Sequence, residues 1–508
     1  LPGGSIQGWV RADWTVDQDA AVLGLGHRNH RAYPPVDPQN AQDMLTVRPG
    51  RMAPRVAIPR ERWSFVDAEG GPQAAQMTGI ALEGGFEAGG IYELVYRAQD
   101  PRVVGLGLAA IRDVISYAKY ELDSVFPVQL GVAFGVSQTG RFLRHFLYQG
   151  FNTDEGGRKA FDGLLVHTAG AGRGSFNHRF GQPSRDAHPY SAFFYPTDLF
   201  PFTSRSQTDP ETGREDGLSL RTQADHLPFV FYTNTGYEYW GRAASLIHTS
   251  VDGLQDVEPL ANERMFHLSS GQHFVGGFPP AEESLKGGEG VRAYRGNPLD
   301  FLLVLRALAD RLVRWVEGEA DPPVSAFPRI SDGNLVAPGG LAFPQLPGVD
   351  VPTVIHEAYR ADYGPRWWEE GVVDRQPPEL GSAFPSLVSQ VDGFGNEMGG
   401  VRAVELRAPL ATYAPWNLRW GALGGADELT DFLGTYIPLS RTEAEREARG
   451  DPRPSIEALY PSKEVFLERV RAATRALVRE GFLRPEDAAI AVESADTHWD
   501  WLVGEEGS

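Results

Sequence analysis

The segment Gly135-Val-Ser-Gln-Thr-Gly140 constrains the fold most strongly, because it joins a short apolar run to a helical one. Residues 128–134 predict a buried strand, and residues 141–148 predict a helix. A serine on a glycine-flanked strand-to-helix turn is typical of a nucleophile elbow, where the hydroxyl stands at the carboxyl end of the strand. Thr139 occupies the place of the second glycine in the usual G-x-S-x-G pattern. An ordinary β-turn-α connection with a serine cap therefore stays open as an alternative.

The remaining strand and helix signals alternate after residue 90, which predicts a mostly parallel sheet with helices on both faces. The predicted strands are 91–96, 163–168, 228–234 and 264–269, and the predicted helices are 107–122, 240–249, 299–317 and 462–479. Before residue 90, short β-like runs such as 60–66 are interrupted by Pro and Gly. We expect an α/β fold in three parts: a β-rich N-terminal part (1–90), an α/β core (91–320) with a long insertion (170–225), and a Pro/Gly-rich and helical C-terminal extension (321–508).

Composition excludes several classes of function. The net charge of −20 disfavours nucleic acids and anionic membranes as partners, and no apolar run is long enough to predict a membrane span. The absence of cysteine excludes thiolate nucleophiles, disulfides and cysteine-ligated metals, and we expect no cofactor. Because the chain begins at Leu1 without a methionine, we expect that sequence has been removed before it. The compartment, cytoplasmic or secreted, and the oligomeric state stay open.

Two further polar residues follow predicted strands in an order that suits nucleophilic catalysis. A serine hydroxyl needs a base to remove its proton, and the base needs a carboxylate to orient it. Glu238 follows the strand 228–234, and His273 follows the strand 264–269 in a glycine-rich loop. Taken singly, Glu238 could be a first-turn helix residue and His273 a loop histidine. The order Ser, Glu, His is that of α/β-hydrolases, so we predict a triad of Ser137, Glu238 and His273.

An acyl-transfer site also needs donors for the oxyanion and a substrate pocket. The backbone N–H of Gln138 is the predicted oxyanion donor, while a second donor is not assigned. The glycine-rich residues 167–174 are expected to form a wall of the site. The insertion 170–225 is predicted to supply the pocket, with a folded surface subdomain as the alternative. The predicted substrate-binding residues are Arg141, Phe176, Arg179, Phe193, Phe194, Tyr195 and Tyr237.

The other histidines have structural interpretations. His145 and His167 are expected to be packed in the interior, since they lie in a predicted helix and a predicted buried strand. His27 and His30 are close in sequence, but no further ligand has the spacing of a metal site, and we expect a surface loop there.

Several longer motifs resemble a bacterial family of large α/β-hydrolase-domain proteins. They are residues 135–144, 147–154, 161–163, 238–240 and 414–419, in that order, and the resemblance covers about residues 63 to 419. It implies an α/β-hydrolase fold and carboxylic-ester hydrolase activity. It also implies the roles of nucleophile for Ser137, acid for Glu238 and base for His273.

The serine turn and the segment Gly170-Ala-Gly172 are also similar to glucuronoyl esterases. Those enzymes place an arginine directly after the nucleophile, where this chain has Gln138 and only later Arg141. The leading hypothesis is a serine carboxylic-ester hydrolase that acts, through an acyl-enzyme, on a small-molecule or polysaccharide-linked ester. The alternatives are a glucuronoyl-type ester hydrolase, a non-catalytic binding protein of the same fold, and a peptidase, which the lack of a β-propeller repeat disfavours.

Overall fold

The computed structural model describes residues 5–28, 30–67, 77–182, 185, 198–280, 292–421, 425 and 427–504. Phe193, Phe194 and Tyr195 of the predicted pocket lie outside the described residues. The strands are β1 (Gln7–Thr15), β2 (Ala20–Gly24), β3 (Met44–Arg48), β4 (Val56–Ile58), β5 (Trp63–Val66), β6 (Gly79–Phe86), β7 (Ile91–Gln99), β8 (Val132–Val136), β9 (Gly163–His167), β10 (Gln207–Thr208), β11 (Glu215–Asp216), β12 (Phe229–Thr235), β13 (Glu263–Leu268), β14 (Leu335–Val336), β15 (Tyr359–Asp362), β16 (Glu379–Ala383), β17 (Val388–Ser389), β18 (Ala411–Ala414) and β19 (Thr435–Pro438).

The helices are α1 (Leu106–Tyr120), α2 (Gln138–Tyr148), α3 (Gly236–Gly241), α4 (Leu302–Val316), α5 (Trp367–Glu370), α6 (Val404–Arg407), α7 (Glu443–Arg449), α8 (Ile456–Leu459), α9 (Lys463–Glu480) and α10 (Ala488–Val503). The helix predicted over 240–249 is instead α3 followed by the 3-10 helix Ala244–Ile247, because Ala243 between them has a left-handed backbone with φ 48°. Among the described residues, no helix has the length and apolar composition needed to cross a membrane.

A four-stranded parallel sheet in the order β8-β9-β12-β13 forms the centre of the α/β core. Strand β9 is buried on both faces: Leu164 and Val166 pack with α2, and Leu165 packs with α4. Such two-sided burial explains why this strand is continuously apolar rather than alternating. The prediction of a mostly parallel sheet with helices on both faces is confirmed.

The strand that carries the serine is less buried than predicted. It spans Val132–Val136 rather than 128–134 and forms an edge of the sheet within the described residues. One face of β8 is exposed and carries Val132, Phe134 and Val136, of which Phe134 is 58% exposed. Gly135 is buried, and a Cβ built on it would meet α2. The apolar composition of this run therefore does not correspond to a buried strand in this structure.

Two antiparallel sheets form the N-terminal part, in the orders β1-β7-β3-β4 and β2-β6-β5. Strand β7, which the sequence assigned to the α/β core, pairs along its whole length with β1 and also with β3. The antiparallel region thus extends past the predicted boundary at residue 90. An apolar cluster that includes Leu94 and Tyr96 of β7 packs this strand with the other N-terminal strands. The α/β core then begins with helix α1.

The C-terminal extension packs directly on the parallel sheet. Residues of α9 and α10 share one apolar cluster with Phe231 and Phe266 of the sheet, and Phe482 lies 5.7 Å from Phe266 between ring centroids. Val401 also forms a parallel bridge with Leu268 at the end of β13. The extension therefore approaches the loop that follows β13, where His273 is located.

Candidate active site

Ser137 lies on a strained turn between β8 and α2. Its backbone has φ 54° and ψ −114°, a conformation that residues other than glycine rarely adopt. The backbone N–H of Ser137 donates to the carbonyl of His167 at 2.8 Å, which anchors the turn to the neighbouring strand. Strain of this kind costs roughly 1–3 kcal/mol and persists only where the surroundings enforce it. The turn presents a half-buried serine at the carboxyl end of β8.

The departure from the G-x-S-x-G pattern has a local explanation. The Thr139 hydroxyl donates to the Val136 carbonyl at 2.9 Å and accepts from the Val136 N–H at 2.8 Å, so a side chain fastens the turn. Glycine is required one residue later, because a Cβ on Gly140 would lie 2.8 Å from the His167 carbonyl oxygen. A Cβ on Gly135 would likewise lie 2.5 Å from the Thr139 carbonyl oxygen. Both glycines permit close packing of α2 on the strands.

Glu238 lies in the first turn of α3 and is fully buried. Its Oε2 accepts hydrogen bonds from the Thr235 backbone N–H at 2.9 Å and from the Thr235 hydroxyl at 2.5 Å. Thr235-Gly-Tyr-Glu238 has the spacing of a capping box, so this support was visible in the sequence. Burial by itself would raise the pKa of Glu238, but His273 and the Thr235 bonds lower it below its usual value. The carboxylate is therefore held in its ionised form.

His273 brings the serine and the carboxylate together. Its Nδ1 lies 2.5 Å from Glu238 Oε1, and its Nε2 lies 2.9 Å from Ser137 Oγ. Because an ionised carboxylate only accepts hydrogen bonds, Nδ1 carries the proton and Nε2 is free to accept from the serine hydroxyl. The His273 residue is 8% exposed. This arrangement can deprotonate the hydroxyl and stabilise the resulting imidazolium.

The loop that carries His273 is held by residues that the sequence did not indicate. Ser270 has a left-handed backbone with φ 60°, and its N–H donates to the Glu397 carboxylate. The Ser270 hydroxyl accepts from the Glu397 N–H at 2.9 Å, and Asn297 donates to the Ser270 carbonyl at 2.8 Å. The same carboxylate contacts His267 Nε2 at 2.9 Å. No local pattern predicts this support, because Glu397 lies in the C-terminal extension.

Phe432 and Tyr237 are among the aromatic residues around the His273 imidazole. Phe432, also from the extension, lies 4.5 Å from it between ring centroids, and its carbonyl accepts the His273 backbone N–H at 3.2 Å. Tyr237 lies 5.9 Å away with its ring edge-on and is fully buried. Of the predicted substrate-binding residues, Tyr237 is thus a neighbour of the imidazole. Phe432 had no signal in the sequence.

The other predicted binding residues lie along α2 and the segment after β9. Arg141 is buried, and its guanidinium donates to the Arg173 carbonyl at 3.3 Å. Phe176 packs edge-on against Phe142 of α2 at 5.4 Å. Arg179 is exposed and lines a cavity of about 170 Å³ next to the N-terminal sheet. The substrate-binding roles of Arg141, Phe176 and Arg179 stay predictions.

The backbone N–H of Gln138 is the first in α2. The first N–H groups of a helix have no acceptor within the helix, and the helix dipole favours negative charge there. This position fits the predicted role of Gln138 as an oxyanion donor.

His145 and His167 are both buried, His145 in α2 and His167 at the end of β9 beside the Ser137 turn. Burial lowers the pKa of His145 to about 3 and that of His167 to about 4, so both are neutral near pH 7. His145 Nε2 contacts Asn177 Oδ1 at 2.8 Å, and His167 Nδ1 contacts Thr233 Oγ1 at 2.9 Å. In the part of the chain that the structure describes, no group of three or more His, Asp or Glu residues has the arrangement of a metal site.

Comparison with known proteins agrees with this architecture. The profile of the alpha/beta hydrolase domain family matches residues 103–493, a stretch that contains Ser137, Glu238 and His273. No curated protein matches the chain, and no solved structure matches it. Since the matched stretch includes the parallel sheet, the serine turn and most of the C-terminal extension, the chain belongs to the alpha/beta hydrolase domain family.

Proposed function

We propose that this chain is a serine carboxylic-ester hydrolase that works through a Ser137–His273–Glu238 triad and an acyl-enzyme intermediate. One observation carries the proposal: a continuous hydrogen-bonded series from Ser137 Oγ through both nitrogens of His273 to the buried carboxylate of Glu238. The strained backbone of Ser137 supports it, since strain at a non-glycine residue clusters at functional sites. Membership of a hydrolase-domain family supports the same class of reaction.

In the first half of the reaction, Ser137 Oγ attacks the ester carbonyl carbon while His273 Nε2 takes the hydroxyl proton. The carbonyl oxygen becomes an oxyanion, and the Gln138 backbone N–H donates to it at the N-terminus of α2. His273 then gives its proton to the departing alcohol, and the acyl group remains on Ser137. Glu238 stabilises the transient imidazolium, because its carboxylate is ionised and contacts Nδ1.

In the second half, water replaces the alcohol. His273 Nε2 removes a proton from the water as the oxygen attacks the acyl carbon, and the proton passes to Ser137 Oγ when the acyl bond breaks. The products are a carboxylic acid and the regenerated serine. These steps require no cofactor and no group other than the triad, the oxyanion donor and water.

Hydrolysis of p-nitrophenyl acetate, butyrate and octanoate by the wild type and by Ser137→Ala tests the proposal. We expect the substitution to lower kcat by about a millionfold, as loss of a triad nucleophile does in other serine hydrolases. Preference among the three acyl chains measures the depth of the pocket. Equal rates in the two proteins would remove Ser137 from the chemistry.

Two further substrates separate the alternatives. A peptide p-nitroanilide reports amidase activity, and a methyl glucuronate ester reports activity of the glucuronoyl type. Arg141 is the candidate in this chain for the role of the arginine in glucuronoyl esterases, and its guanidinium donates to the Arg173 carbonyl. We therefore expect simple esters to be preferred over the glucuronate ester. If none of these compounds is turned over and a folded wild type still binds the esters, the non-catalytic alternative is correct.

A further inference from the structure

The ring of Phe432 lies against one face of the His273 imidazole. The centroids are 4.5 Å apart and the ring planes are inclined by 32°, which is close to a stacked arrangement. Phe432 has a left-handed backbone with φ 67°, an uncommon conformation for a bulky residue. Its carbonyl accepts the backbone N–H of His273 at 3.2 Å. A strained residue thus holds both the backbone and the ring of the histidine.

We propose that Phe432 is a positioning residue for His273, and that its ring stabilises the imidazolium that forms when Ser137 gives up its proton. This inference rests on the proposed esterase function. The face of an aromatic ring carries negative electrostatic potential and attracts a cation placed over it. The neutral imidazole gains less from this contact than the imidazolium does. The contact therefore favours the transition state over the resting enzyme, which is the requirement for a contribution to catalysis.

The contact of Phe432 is distinct from that of the other groups around the imidazole. Glu238 binds in the plane of the ring at Nδ1, whereas Phe432 covers a face. Among the described residues, the titratable or charged groups near this position include His167 at the end of β9, Tyr237 on α3, Arg242 directly after α3 and Asp431 beside Phe432. His167 is neutral because burial lowers its pKa to about 4, and burial raises the pKa of Tyr237. The Phe432 ring can be altered while the Glu238 carboxylate at Nδ1 is retained.

Phe274 provides a matched control within the same aromatic group. It lies 6.0 Å from the His273 ring with the planes at 77°, so it meets the imidazole edge-on. The side chain is 48% exposed. Changing Phe274 to leucine removes an aromatic ring of the same size, but the contact of Phe432 with the face of the imidazole remains.

The experiment measures kcat and kcat/KM for p-nitrophenyl acetate between pH 4.5 and 9 in the wild type, Phe432→Leu, Phe432→Tyr and Phe274→Leu. For Phe432→Leu we expect kcat to fall about three- to tenfold, with little change in KM. The midpoint of the acid limb of the profile should move about half a pH unit lower, because the imidazolium loses a stabilising contact. Phe432→Tyr keeps an aromatic ring and should have the wild-type kcat and the wild-type midpoint of the acid limb. Phe274→Leu should change neither kcat nor that midpoint.

The inference is overturned if Phe432→Leu lowers the rate without moving the acid limb, or if Phe274→Leu has the same effect on both. Replacement of Phe432 by a trifluorinated phenylalanine guards against a folding defect, because it keeps the shape of the ring and weakens its negative face. We expect this variant to resemble Phe432→Leu, and wild-type kinetics would overturn the inference. Failure of the proposed function is seen separately, as retention of activity in Ser137→Ala.

Discussion

Glu238 orients His273 through its contact with Nδ1, so we predict that the substitution Glu238→Gln lowers kcat strongly. The side chain keeps its shape, but one oxygen becomes an NH₂ group that cannot accept a hydrogen bond. In the wild type, Oε2 accepts two bonds from Thr235 and Oε1 accepts one from His273. The amide oxygen should therefore remain with the two Thr235 donors, and the NH₂ group should face Nδ1.

An NH₂ group at that position reverses the histidine tautomer. Nδ1 must then accept a hydrogen bond, so Nε2 carries the proton and cannot remove one from Ser137. In a serine protease triad the equivalent change of carboxylate to amide lowers kcat about 10⁴-fold with the geometry retained. We expect a loss of about this size here, equal to roughly 5 kcal/mol of transition-state stabilisation. The effect on KM should be small, because no substrate contact is removed.

Steady-state hydrolysis of p-nitrophenyl acetate measures the loss. Asp198→Asn is the matched control, because Asp198 is another buried carboxylate that pairs with a histidine, His356, at 2.7 Å. We expect that control to keep kcat within about threefold of wild type, although its stability falls because a buried charge-assisted bond is weakened. A Glu238→Gln variant within tenfold of wild type would refute the tautomer argument.

Further predictions concern packing and pH. Gly140→Ala should destabilise the fold by about 1–2 kcal/mol in urea unfolding, because its Cβ would lie 2.8 Å from the His167 carbonyl oxygen. Gly107→Ala, with nothing within 4 Å of its Cβ, should be neutral or stabilising by up to about 1 kcal/mol, and equal effects would refute the packing argument. Burial lowers the pKa of His498 to about 4 from 6.5, so the folded state binds fewer protons and stability falls as pH drops from 6.5 towards 4. In His498→Gln, the loss of unfolding free energy between pH 6.5 and 4.5 should be smaller by about 2 kcal/mol, and an unchanged loss would contradict this assignment.

Local patterns predicted much of the parallel sheet. Strands β9, β12 and β13 begin or end within one residue of the predicted positions, because each is a short apolar run bounded by turn residues. Glu238 follows β12, His273 follows β13 and Ser137 follows β8, and parallel strands bring their carboxyl ends to one edge of a sheet. The prediction for β8 was wrong, because its apolar composition predicted burial and three of its side chains are exposed. Whether such a strand is buried depends on neighbouring elements that a local pattern does not specify.

By itself, the sequence determined the fold class, the strand-to-helix turn at Ser137 and the order of the three polar residues, because these depend on local periodicity and on glycine. Only the tertiary structure decided that β7 pairs in the N-terminal sheet, that the Arg141 guanidinium donates to the Arg173 carbonyl, and that Glu397 and Phe432 support the His273 loop. Those contacts join residues far apart in the chain. Their partners are selected by the packing of whole elements, and a short segment carries no signal of that packing.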